Sequence, residues 1–96
     1  MLIRIVEIIW LDSIIEKIRN KHNITVTEVE EVFRNKPKFR RGPKGNYIEE
    51  NIYYALGRTD GNRMLFIVFI FKRNSEALII SGREMDSKEK SIYSRL

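Results

Sequence analysis

Histidine is the side chain that titrates near neutrality, and this sequence contains one, His22, with Lys21 directly before it. An imidazole can take or give a proton at physiological pH, and an ammonium beside it can hold an anion. Three arginines, Arg58, Arg63 and Arg83, stand at the edges of apolar runs. A guanidinium stays charged at any ordinary pH and meets phosphate oxygens two at a time. A proton-transfer group together with fixed positive charge is an inventory for chemistry at a phosphate. Each residue also has a plainer role. His22 and Lys21 fall where a helix ends, a favourable place for positive charge. Each arginine can pair with a carboxylate, and Glu49, Glu50, Glu84 and Asp86 are available.

The elements that must position these groups follow from periodicity. Residues 2–10, rich in Ile and Val, read as a strand. Ser13 and Glu16 have capping-box spacing, and Leu11, Ile14, Ile15 and Ile18 recur at helical spacing up to about Lys21, with Asn23 as a left-handed stop. Thr25 and Glu28 repeat the box ahead of a second helix with Val26, Val29, Val32 and Phe33 on one face. The run "RNKPKFRRGPKGN" holds both prolines and six basic residues without an acid, and reads as a loop with an edge strand near Phe39. Its Lys38, Arg40, Arg41 and Lys44 form either a solvated loop or an arm that tracks a polyanion or meets an acidic protein segment. Then come three strands, "NIYYALGRT", "MLFIVFIF" and "ALIIS". The middle one is apolar throughout and should be covered on both faces. Asp86 and Glu89 open a last helix that ends near Tyr93.

The pattern reads as a single α+β domain over residues 1–96, with two N-terminal helices, three consecutive strands and a C-terminal helix. A two-residue turn at Asp60-Gly61 sets Arg58 opposite Arg63, and a turn centred on Asn74 sets Arg83 opposite Leu65. In that register the three arginines share one face at one end of the sheet.

Composition narrows the partners. A net charge of +5 and a pI near 9.7 favour a polyanion or an acidic protein. No cysteine is present, so disulfides and thiolate metal sites are excluded, and one histidine does not anchor a zinc site. The N-terminal "MLIRIVEIIW" is too short and too charged for a membrane span or a signal peptide, so a cytoplasmic protein is expected. Hydrophobic residues make up 43% of the chain, enough for a core, though a domain of this size can lean on a partner or on homo-oligomerisation.

The segments "IIW…KH", "VTEVEEVF", "YYALGRTDGNRMLFIVF" and "LIISGREMDSKEKSIY" occur in the order seen in the BrnT-like toxins, which this sequence resembles over nearly its whole length. Trp10, Lys21, His22, Gly57, Ser81, Arg83 and Tyr93 match positions that recur in that family. The resemblance implies a RelE-like α+β fold, with the two N-terminal helices and the C-terminal helix packed on a twisted antiparallel sheet, and a toxin of a type II toxin–antitoxin pair. It also implies RNA cleavage without metal and neutralisation by a cognate antitoxin, BrnA-like, with a ribbon-helix-helix region. For such cleavage the side chains of this sequence offer proton transfer by His22, charge stabilisation by Arg58, Arg63 and Arg83, phosphate holding by Lys21, and stacking or proton donation by Tyr93. This chain departs from the family where it has Leu11 after the tryptophan and Ile52 and Leu78 in place of frequent arginines. Those losses favour a second expectation: a catalytically weak or inactive member that binds antitoxin or nucleic acid.

Overall fold

The run Met64–Phe71 forms the central strand of a five-stranded sheet. A computed structural model describes residues 3–42 and 51–96, so Lys44, Glu49 and Glu50 lie outside the described residues. The elements in chain order are β1 (Glu7–Ile9), α1 (Asp12–His22), α2 (Val26–Arg34), β2 (Lys38–Arg41), β3 (Ile52–Arg58), β4 (Met64–Phe71), β5 (Glu76–Glu84) and α3 (Ser87–Arg95). The sheet order is β1-β5-β4-β3-β2. The last four strands in that order pair antiparallel, while β1 joins β5 in parallel and is shorter than residues 2–10 would allow. No helix among the described residues is long and apolar enough to cross a membrane.

Alternation builds the core. Leu65, Ile67 and Phe69 of β4 point to one face with Ala55 of β3 and Ala77 and Ile79 of β5, and all are fully buried. Ile18 of α1 and Val29 and Val32 of α2 close over them. The Phe69 ring sits edge-on to Phe33 at 5.4 Å and to Phe39 at 5.8 Å, tying α2 and β2 to the sheet centre. At Gly57 a Cβ would stand 2.9 Å from Val32 Cγ1 and 3.2 Å from Pro37 Cβ, so α2 and the segment after it lie too close for any side chain there. The opposite face, with Met64, Phe66, Val68 and Ile70, is only half covered by the described residues, because α3 is short and packs mainly against β3. The expected cover on both faces is therefore partial.

One local expectation changes. The Ser13–Glu16 capping box does not form. The helix begins at Asp12 and its N-cap is Leu11, without a side-chain cap bond, so Ser13 lies inside the first turn and cannot act as the cap. The boxes at Thr25–Glu28 and Asp86–Glu89 do form, with both reciprocal bonds present. Asn23 ends α1 in the left-handed region at φ 54°.

The larger correction is one of register. The β3–β4 loop has three residues, Asp60, Gly61 and Asn62, closed by the Thr59 N–H donating to Arg63 O at 2.9 Å. Asn62 occupies the left-handed position at φ 67°, as a three-residue hairpin with a bulge demands. Arg58 therefore faces Met64, and Arg63 faces Thr59 on the other side of the sheet. The β4–β5 turn is centred on Asn74 as expected, but a bulge follows. Val68 pairs Ser81 while Phe69 pairs Ile79, which leaves Ile80 as the extra residue and sets Arg83 opposite Phe66. Arg58 and Arg83 share the α3 face, and Arg63 lies on the α1–α2 face. The three-arginine cluster on one face does not exist.

Candidate functional site

Arg63 is held from every direction. Its Nη1 donates to Asn23 O at 2.7 Å and to both Glu28 oxygens at 3.1 and 3.2 Å. Its Nη2 donates to His22 O at 3.0 Å and to Glu84 Oε2 at 3.2 Å. It thus caps the carbonyl end of α1 while pairing with the capping-box glutamate of α2. Partial burial pulls its pKa down, but the bonds to Glu28 and Glu84 outweigh that, and the net shift is upward. This arginine clamps the backbone that carries His22.

Arg83 sits on the penultimate residue of β5, with its guanidinium 4.6 Å from the Phe66 ring centroid. Glu89 of α3 receives Nη1 and Nη2 at 2.6 Å each, and Glu84 O takes a further bond from Nη1 at 3.2 Å. The hydrogen bond with Glu89 raises the Arg83 pKa. Three of the five guanidinium N–H groups are engaged, which leaves two for a ligand. Among the described residues, Glu28, Glu84 and Glu89 thus neutralise two of the three arginines.

Two depressions meet at Arg83. A cleft of about 500 Å³ is lined by Asn20, Lys21, His22, Asn23, Arg63, Arg83 and Glu84. A groove of about 760 Å³ runs over the α3 face of the sheet, with Arg40 and Arg41 at one side, Lys88 and Glu89 of α3 at the other, and Tyr54, Phe66 and Arg83 among its lining. Arg83 is the wall they share. Lys21 and His22 at the end of α1 are therefore brought to the sheet rim with Arg63 on their own face, and Arg83 meets them from the α3 face.

The remaining expected residues lie elsewhere. Arg58 is exposed, stacks over the Tyr93 ring at 5.7 Å and donates to Asn62 Oδ1 at 3.0 Å. That pair braces α3 against the end of β3 and lines neither depression. Arg40 faces the groove beside Tyr54, whereas Arg41 also bonds Tyr53 Oη at 3.3 Å. Lys38 lies on the edge strand and lines a different depression with Arg4 and Lys36. Trp10 packs against the core. Sequence reasoning missed Glu89 as a site residue. Its signal was present in the Asp86-x-x-Glu89 spacing, which reads as purely local.

The family model described as "Ribonuclease toxin, BrnT, of type II toxin-antitoxin system" matches residues 12–89. No curated protein sequence matches the chain significantly. The chain superposes on a crystal structure of the Brucella abortus ribonuclease toxin BrnT with a TM-score of 0.64 at 20% identity, covering 84% of this chain and 97% of that one. That likeness shows the same α+β architecture. With the family match spanning most of the sequence, the chain belongs to the BrnT family of ribonuclease toxins of type II toxin–antitoxin systems.

Proposed function

We propose that this chain cleaves RNA in the cytoplasm without a metal ion, by attack of a ribose 2′-hydroxyl on the adjacent phosphate. Arg83 stabilises the charge that builds on the phosphorane. His22 transfers a proton at the leaving oxygen, and Lys21 holds a neighbouring phosphate. Arg40 and Arg41 guide the strand along the groove, where Tyr54 and Phe66 offer stacking surfaces. Arg58 and Tyr93 act at one remove by bracing α3. A small cognate antitoxin with a ribbon-helix-helix region neutralises the toxin. The observation that carries this reading is the joint lining of one cleft by Lys21, His22 and Arg83.

Purified protein incubated with RNA and a chelator should still release fragments. Arg83→Ala should lower the rate by about 10²–10³-fold, and Arg83→Lys should recover only part of it. Undiminished cutting by Arg83→Ala would remove this mechanism. Expression alone should arrest growth, and co-expression of the antitoxin should restore it.

One observation favours a second reading. Ile52, standing where many relatives carry an arginine, lines the groove itself. A member with weakened turnover that still binds RNA or antitoxin would bind a labelled oligonucleotide, lose it steeply with salt, and give no product.

A further inference from the structure

In such a cleavage the 2′-hydroxyl proton still needs an acceptor. We propose that Glu89 is that general base, an inference that rests on the RNA-cleavage reading. Its side chain is 13% exposed, yet it lines the groove on the α3 face. Three donors hold its carboxylate. Oε1 accepts from the Asp86 N–H at 2.9 Å and from Arg83 Nη1 at 2.6 Å, and Oε2 accepts from Arg83 Nη2 at 2.6 Å. A carboxylate offers about four lone-pair directions, so Oε2 retains one for an incoming O–H. The group is aimed by the helix backbone and by a strand arginine at once, the fixed geometry a base requires.

The other acids of the rim are less suited. Glu84 is 63% exposed and belongs to Arg63. Asp86 Oδ1 is taken by the Glu89 N–H at 2.8 Å as the helix cap. Glu89 also stands beside the group that must touch the phosphate, as the chemistry requires, since the attacking 2′-oxygen and the 3′-phosphate are carried by the same ribose. His22 lies on the other side of Arg83, in the adjoining cleft. In-line displacement needs its acceptor and donor on opposite sides of the phosphorus, and Glu89 lines the groove while His22 lines the cleft, with Arg83 common to both linings.

The step balances. Glu89 takes the 2′-hydroxyl proton as the O2′–P bond forms. The P–O5′ bond breaks, and His22, entering as imidazolium, protonates the departing oxygen. The products are a 2′,3′-cyclic phosphate and a 5′-hydroxyl, and solvent exchange returns one proton to His22 and removes one from Glu89.

The test compares RNA with a ribonucleoside 3′-(4-nitrophenyl) phosphate, whose leaving group needs no protonation. Glu89→Gln keeps the acceptor for the Asp86 N–H and should slow both substrates by about 10²–10⁴-fold, whereas His22→Ala should slow RNA far more than the aryl ester. Glu89→Asp, which retains a carboxylate, should recover part of the loss. A 2′-deoxy oligonucleotide should bind Glu89→Gln as it binds the wild type. In an Arg83→Ala background Glu89→Gln should still cost rate, because the Asp86 N–H keeps the carboxylate in place when the arginine is gone. Absence of any cutting by the wild type would defeat the RNA-cleavage reading itself. Wild-type cutting with Glu89→Gln within about threefold of it would overturn the assignment of Glu89 alone. So would a Glu89→Gln penalty that vanishes in the Arg83→Ala background, since Glu89 would then only position Arg83.

Discussion

Arg63 and Arg83 each pair with the glutamate that closes a helix capping box, Glu28 in one case and Glu89 in the other. Their uses differ because their surroundings differ. Arg63 spends its donors on two carboxylates and two backbone carbonyls, so removing it takes the cation from Glu28 and Glu84 and uncaps α1. Arg63→Ala should cost about 2 kcal/mol of stability in urea unfolding, the scale of hydrogen bonds to charged groups, and Arg63→Lys should restore little because one ammonium cannot reach all four partners. The raised pKa of Arg63 carries a definite sign. Its contribution is complete below the unfolded guanidinium value and is lost only as pH rises through the higher folded value, far above ordinary buffers.

At the level of elements, the helix starts act as fasteners. The glutamate that caps α2 also holds β4 through Arg63, and the one that caps α3 also holds β5 through Arg83. The box spacing was legible at Thr25 and Asp86, because a cap depends on residues three apart. It misled at Ser13, where the strand before the helix delivers the chain so that Leu11 becomes the cap. The contrast is measurable. Thr25→Ala should lose about 1 kcal/mol, while Ser13→Ala should stay within about 0.5 kcal/mol of wild type in the same denaturation experiment. The strands were legible too, since β4 occupies the apolar run end to end. Their register was not. Asn62 in the left-handed position added one residue to the first hairpin, and Ile80 added one to the second. Each step reverses which face later side chains occupy.

At the scale of the whole molecule, the formal net charge of +5 suits a polyanionic ligand. Arg40 and Arg41 flank the groove, Lys88 lies across from them, and Lys21 stands at the neighbouring cleft. A single-stranded RNA laid over this surface should bind with a log–log salt slope of about −0.7 per phosphate neutralised. Replacing Arg40 and Arg41 by alanine should flatten that slope by about 1 to 1.5 and weaken every sequence alike, as filter binding at several salt concentrations would show. The half-covered apolar face beneath α3 gives the same groove its stacking surface, so charge and aromatics coincide there.

By itself the sequence determined the order and kind of the elements, the α+β class, two of the three capping boxes, the basic balance and the Lys21–His22 pair at a helix end. These depend on composition and on spacings of a few residues. Tertiary structure alone decided that Arg63 leaves the face of Arg58 and Arg83, and that Glu89 rather than a nearer acid takes Arg83. It also decided that Glu28, 35 residues away, takes Arg63. The face of a strand residue depends on the parity of every preceding turn and bulge, so one added residue inverts it. The partner of a long charged side chain depends on where distant segments come to rest.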